Sequence, residues 1–380
     1  MERNVYDSDH DAFRDACSAF VEAEVLPHYD QWERDGIVSR DVWKRAGVQG
    51  LLCMDVAQEY GGGGAADWRF NAVLNEVLGA SAVPGLAMAL HNDVVVPYFT
   101  SMGTPEQKQR WLPGMTTGET ITAIAMTEPG TGSDLAALRT TAVDDGDAWV
   151  LNGSKTFTSN GHLADVVVVA AKTDPTAGHA GVSLLVVERG MPGFERGRNL
   201  DKLGMKSQDT AELHFTDVRV PKANLLGEAG QGFYAMMDKL AQERLVVAIG
   251  GLAHAWAVLE QTKAYCHQRE AFGRPIGTFQ INRHRMAEMH TELTIAQVFL
   301  DRCLELHVEH KLDAVTAAMA KYRISDLQGE VIDACLQLHG GYGFMEEYGI
   351  ARAYRDARAQ RIYAGTNEIM KEIIGKSLGF

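Results

Sequence analysis

The order of patterns along this chain predicts an α+β fold in three consecutive parts: an N-terminal helical domain (residues 1–117), a middle β-sheet domain (118–230) and a C-terminal helical bundle (231–380). Three observations predict it. Apolar residues recur at three- and four-residue spacing through the first third, short β-branched or alternating segments fill the middle, and the helical period returns after Gly232 in stretches longer than an average globular helix.

In residues 11–25 the apolar side chains Phe13, Ala16, Cys17, Phe20 and Val21 mark one face of an amphipathic helix, and Pro27 lies just beyond the stretch. Further helical segments are expected around residues 41–46, 67–79 and 105–115, interrupted by the flexible glycine run 61–64. Between about residues 118 and 220, ETITAIAM, AWVLNG, SKTFTSNG, ADVVVVAAKT, GVSLLVVERG and AELHFTDVRV read as strands separated by Asp-Gly and Asn-Gly turns. Residues 233–269, 279–309 and 313–338 then read as long apolar-striped helices, and with such short connections they pack best as a bundle.

Composition narrows the function classes. A chain of 380 residues with 46% hydrophobic and 23% charged residues is an ordinary globular protein, long enough for two or three domains. Its net charge of -14 argues against nucleic acid or an anionic membrane surface as the main partner. The start, MERNVYDSDH, has no apolar signal region, and no later run approaches the roughly 18 apolar residues of a membrane helix, so a cytoplasmic protein with no membrane span is expected. Five cysteines without a CxxC pair suit reduced, buried thiols. Thirteen histidines give no HExxH, and His307 with His310 sits in a polar helix face, so no metal is expected.

One carboxylate stands out. In AQERLVVA (residues 241–248) the helical neighbours of Glu243 at three and four residues are Lys239, Leu240, Val246 and Val247, three of them apolar. Burial there would raise its pKa by desolvation and make it a general base suited to neutral pH. The plainer reading is a surface pair with Lys239, in the weaker Lys-first orientation and worth about 0.2 to 0.5 kcal/mol at best. Two other motifs fail on context. GQGFYA (residues 230–235) matches a dinucleotide fingerprint but comes after no good strand and opens no βαβ unit, and NGSKT (152–156) is an incomplete phosphate loop inside a hairpin.

Taken together, AMTEPGTGSD (125–134), FTSNG (157–161), REAFGRPIG (269–277), QLHGGYG (337–343) and YAGTNEIM (363–370) resemble the acyl-CoA dehydrogenase family of flavoproteins, in that family's order and spacing over essentially the whole chain. The resemblance implies that the C-terminal part is a four-helix bundle and that the chain assembles as a homotetramer with FAD between domains. It places Met126, Thr127 and Ser133 against the flavin ring, with Ser133 also near the thioester end of the substrate. Phe157 stands where the family often has Trp, and Thr158 would lie near the redox-active nitrogen. Arg269, Phe272 and Gln280 resemble residues that grip the FAD pyrophosphate and adenine from a neighbouring subunit, a task that suits the planar fork of Arg. Gln337, Gly340 and Gly341 would approach the same dinucleotide, and Thr366 and Glu368 would hold its other end at a helix N-terminus. Without the family, Arg269 reads as a solvated charge, Gly340 and Gly341 as a helix stop, and FTSNG as a strand ending in a turn.

One departure is informative. Many members carry a Glu just before the Gly-Thr of the last motif, and that Glu takes the substrate α-proton; here the position is Ala364. In the long-chain and isovaleryl-type members the base lies instead on a bundle helix, at a Glu followed by Arg-Leu, and Glu243 with Arg244 matches that motif. The implied reaction takes a proton from the α-carbon and a hydride from the β-carbon of an acyl thioester, giving a trans-2-enoyl thioester, with electrons passed to an electron-transferring flavoprotein. Substrate contacts would come from Ser133, Arg244, Ala364 and Gly365, where the backbone N–H at residue 364 survives loss of the Glu side chain. Alternatives are a thioester held by an acyl-carrier protein, desaturated at the α,β bond or further along, a catalytically silent thioester binder, and an oxidase or monooxygenase on the same fold. Acyl chain length is not readable from these motifs.

Overall fold

The computed structural model describes residues 3–380. Helix α1 (Ser8–Phe20) starts at a capping box between Asp7 and His10. It does not end near Val25: a π-helical turn (Val21–Val25) leads straight into α2 (Leu26–Asp35). Pro27, expected to lie beyond the helix, falls instead in the first turn of α2, where its missing N–H leaves no bond unmade. Helices α3 (Arg40–Val48) and α4 (Arg69–Ala80) come close to expectation. A second π-helical turn (Leu90–Val95) and α5 (Val96–Met102) were not foreseen, because the β-branched run and Pro97 argue locally against helix. The N-terminal domain closes with α6 (Pro105–Thr116), again behind a capping box.

The middle domain is an eight-stranded, mostly antiparallel sheet. Its strands are β1 (Thr122–Ala125), β2 (Thr141–Asp145), β3 (Ala148–Ser159), β4 (Val166–Lys172), β5 (Val182–Glu188), β6 (Phe194–Asn199), β7 (Thr210–Pro221) and β8 (Leu225–Leu226). The order is β6-β7-β3-β2-β4-β5-β8, with β1 parallel to β4. AWVLNG and SKTFTSNG, expected as separate segments, form the single bulged strand β3. Gly153 does not turn: at φ 146° it stays extended, and a Cβ there would lie 2.5 Å from Thr140 Oγ1. The Asn-Gly turn instead falls at Asn160, φ 58°.

The C-terminal part is built on α7 (Gly232–Gln268). After the two-residue strands β9 (Glu270–Ala271) and β10 (Arg274–Pro275) come α8 (Gln280–Val308), α9 (Ala314–His339), α10 (Gly349–Ala357) and α11 (Asn367–Ser377). Helix α9 packs against α7, α8, α10 and α11. GQGFYA opens α7 directly, with no βαβ unit around it. By length and composition α7 could cross a bilayer, which corrects the expectation that no stretch would; 61% of its most apolar window is buried inside the protein. Helix α7 is apolar because it has protein on several sides. Its first turns join the N-terminal core through Met236, and the rest joins the bundle core through Leu245, Ile249, Leu252 and Val258. Against α4 the approach is backbone to backbone, since a Cβ on Gly79 would sit 2.4 Å from the Gly250 carbonyl oxygen.

Candidate active site

Glu243 lies on α7 with 7% of its surface exposed. Lys239 turns away to Asp238 at 3.2 Å, so the surface pair does not form. The carboxylate instead accepts a hydrogen bond at Oε1 from the Tyr98 hydroxyl of α5, at 3.3 Å. Burial pushes its pKa up to about 7, while the Tyr98 bond and the Arg244 charge pull the other way. Gln242 ties the same turn of α7 to the π-helical turn by donating to the Asp93 carbonyl at 2.7 Å. Asp93 itself is buried between the Asn71 and Asn75 amides, and burial pushes its pKa to about 7.

Arg244 is also buried, its Nε has no partner, and no carboxylate lies within ion-pair distance among the described residues. Its Nη2 comes within 4.0 Å of where a Cβ on Gly365 would be, so α7 meets the chain that enters α11. That turn is left-handed at two successive residues, Ala364 (φ 55°) and Gly365 (φ 86°). Lys321 of α9 holds it. With none of its surface exposed, Lys321 donates to the Gly365 carbonyl at 2.7 Å and to Asn367 Oδ1 at 2.9 Å. Burial, and Arg244 nearby, push its pKa down to about 8. Neither Lys321 nor Tyr98 was foreseen. Lys321 carried the signal that Glu243 did, a charge among Ala317, Ala318 and Ile324 at helical spacing; Tyr98 carried none.

The residues expected against a flavin ring gather at the sheet. Met126 and Thr127 come directly after β1, and both carbonyls are held, Met126 by Lys155 Nζ at 3.0 Å and Thr127 by the Thr156 N–H at 2.9 Å. Lys155, fully buried, also pairs with Glu128 at 2.8 Å. Burial alone would raise Glu128, but the Lys155 bond and the Thr140 and Arg139 N–H groups hold it below the ordinary carboxylate value. Beyond this anchor Ser133 is exposed, and Cβ atoms on Gly130 or Gly132 would touch nothing. Phe157 is 68% exposed at φ 55°, and Thr158 beside it is buried with a hydroxyl that has no partner.

A second set lies at the far end of the bundle. Arg269 caps α7 with its guanidinium 5.4 Å from the Tyr342 ring centre. Phe272, at 94% exposure, meets Phe279 edge-on. Gln280 and Gln337 are exposed, and Gly340 (φ 60°, ψ -139°) and Gly341 have open space where a side chain would be. Thr366 and Glu368 do not join this set: next to Gly365 at the Arg244 end, Thr366 caps α11 through the Ile369 N–H at 3.3 Å, with Glu368 exposed in the first turn. Among the described residues no hydrogen bond joins Arg269, Phe272, Gln280 or Gln337 to Glu243 or to the sheet residues. The structure brings Arg244, which follows Glu243 on α7, to Gly365, which follows Ala364, and leaves the Arg269 set as an exposed surface. No cluster of three or more His, Cys, Asp or Glu forms a metal site among the described residues, and all five cysteines are free and buried.

An unpartnered buried hydroxyl, glycines opening onto free space, and two exposed aromatic rings fit a large planar cofactor with a polar tail. Models of the N-terminal, middle and C-terminal acyl-CoA dehydrogenase domains match residues 7–119, 123–218 and 230–379. The chain is 48% identical to a mouse (Mus musculus) long-chain specific acyl-CoA dehydrogenase, covering 99% of this chain and 88% of the relative. It is 36% identical to an isovaleryl-CoA dehydrogenase of Solanum tuberosum, covering 98% and 91%. A crystal structure of an acyl-CoA dehydrogenase from Geobacillus kaustophilus superposes with a TM-score of 0.98 at 51% identity over 100% of both chains. The three-part fold, the buried carboxylate on α7 and these likenesses agree: the chain belongs to the acyl-CoA dehydrogenase family and is an FAD-dependent oxidoreductase.

Proposed function

We propose that this enzyme dehydrogenates a saturated acyl-CoA to the trans-2-enoyl thioester, with Glu243 removing the α-proton. The observation that carries the reading is the buried, nearly neutral-pKa carboxylate of Glu243, next in the chain to the Arg244 that reaches the turn at Gly365, where Ala364 offers no carboxylate. A carboxylate with pKa about 7 is ionised in part at neutral pH and strong enough to accept a proton from carbon acidified by an adjacent thioester. The backbone N–H of residue 364 would donate to the thioester oxygen as negative charge builds there. Lys321, bonded to the Gly365 carbonyl, keeps that turn in place, and Arg244 with Lys321 surrounds it with positive charge.

Thr127, Ser133 and Thr158 would hold the flavin ring, and Arg269, Phe272, Gln280, Gln337, Gly340 and Gly341 the pyrophosphate and adenine. Bound FAD supplies the acceptor for the β-hydride. The Arg269 set would serve a neighbouring subunit of a homotetramer, a reading supported by the exposed Phe272, Ile281 and Phe344. Electrons would leave to an electron-transferring flavoprotein.

The test is anaerobic mixing of the yellow protein with saturated thioesters, short to long, straight and branched, on CoA and on a carrier protein. Bleaching of the visible flavin absorbance by acyl-CoA, lost in Glu243→Gln, is the expected result. Bleaching by carrier-bound chains alone would move the substrate to an acyl-carrier protein, and none with any member would favour a silent binder.

A further inference from the structure

Tyr98 touches the carboxylate of another domain, and the backbone explains how it gets there. The π-helical turn Leu90–Val95 carries one residue more per bond than an α-helix and so rotates the face that α5 presents by about 100°. Pro97, in the first turn of α5, needs no donor there. The rotation leaves Tyr98 fully buried against α7, and its hydroxyl has Glu243 Oε1 as its one hydrogen-bond partner among the described residues. A buried phenol normally finds a backbone carbonyl or another fixed acceptor. This one is committed to a titrating group.

We propose that Tyr98 is a positioning residue for Glu243: by donating to Oε1 it fixes the plane of the carboxylate and leaves Oε2 free to take the substrate proton. The assignment rests on Glu243 being the base. A donor to Oε1 also favours the ionised carboxylate, so its removal should make Glu243 harder to deprotonate. The other charged or titrating groups around this contact are Arg244 beside Glu243, Lys321 of α9 beyond Arg244, Asp93 of the π-helical turn, and Asp238 one turn earlier on α7. None of them hydrogen-bonds either Glu243 oxygen among the described residues, so Tyr98 is the one group whose removal changes that bond directly.

The experiment tracks the rate of flavin bleaching against pH for the FAD-loaded enzyme, with a thioester that the wild type uses. In Tyr98→Phe the acidic limb should move up by about one unit, giving about tenfold slower bleaching below it and a largely retained plateau above it. Replacing Tyr98 by 3,5-difluorotyrosine, a stronger donor of nearly the same shape, should move the limb down. Opposite shifts are not what loosened packing produces, and the fluorinated variant decides the matter should the Phe variant lose FAD. A limb that stays put in the fluorinated variant, while Glu243→Gln is inactive, overturns the role of Tyr98 and leaves the base intact. A Glu243→Gln enzyme that still turns over overturns both.

Discussion

Two buried charged sites, one under the sheet and one beside α7, solve the same problem in opposite ways. Beneath the loop after β1, Lys155 and Glu128 are paired, and their remaining capacity goes to Met126, Arg139 and Thr140. The two charges there are matched to each other, so the site can shape the loop but has no unpaired charge to react with. Around Ala364 the arrangement is incomplete: Glu243 has one bond of 3.3 Å, Arg244 Nε has none, and Lys321 meets only neutral oxygens. Uncompensated burial is destabilising, and a protein retains it where a charge must be created or moved. The contrast separates a scaffold from the proposed reaction centre without reference to either one's position in the fold.

Mutations at the two sites should therefore fail differently. Glu243→Gln should slow bleaching of the flavin by about two to four orders of magnitude while FAD content stays whole; near-normal rates would erase the distinction. Lys155→Met leaves Glu128 buried and unpaired, and should cost about 3 to 5 kcal/mol in denaturant unfolding together with loss of bound flavin. Retained stability in that variant would show that the loop does not depend on its anchor. A third comparison uses pH. The folded pKa of Glu243 lies above its ordinary value of 4.5, so ionisation opposes folding: the group is neutral to stability below that value and weakens the fold as pH rises through about 7. Glu243→Gln should recover up to about 3 kcal/mol of that loss at pH 8 and none at pH 4, measured as the difference between variant and wild-type unfolding free energies. Lys321→Met should slow bleaching by about ten- to a hundredfold through a displaced turn, with a smaller loss of stability than at Lys155. The smallest effect expected is partial recovery of activity by Ala364→Glu in the Glu243→Gln enzyme, since Arg244, beside Glu243 in the chain, reaches the turn that holds residue 364. No recovery would mean that a carboxylate at residue 364 cannot reach the α-carbon.

Legibility in the sequence divides along similar lines. Long helices announced themselves because one apolar stripe persists over many turns, and Glu243 because it interrupts such a stripe. The π-helical turns were hidden, since their β-branched residues and prolines argue against helix one position at a time and are overruled only by packing. Strand β3 ran through an Asn-Gly pair because Thr140 of the neighbouring chain segment leaves room for nothing larger than Gly153. The Tyr98 contact spans 145 residues and depends on the rotation imposed by one turn, which no local pattern encodes. The Arg269 set was found only through resemblance, because an exposed Arg and two glycines look like any helix end until something covers them.

The crossing of α4 over α7 has a consequence for length. Gly250 lies seven residues after Glu243, on the same stripe of the helix and about 10 Å further along it. There the backbones of Gly79 and Gly250 touch, and Gly79 has no room for even a methyl group, while one on Gly250 would lie 4.0 Å from the Asn75 carbonyl oxygen. The main chain of α4 crosses α7 at this point, and main chain cannot rotate aside as a side chain can. Sliding α4 along α7 would force main-chain overlap, so the crossing fixes how far the N-terminal domain stands along the helix that carries Glu243.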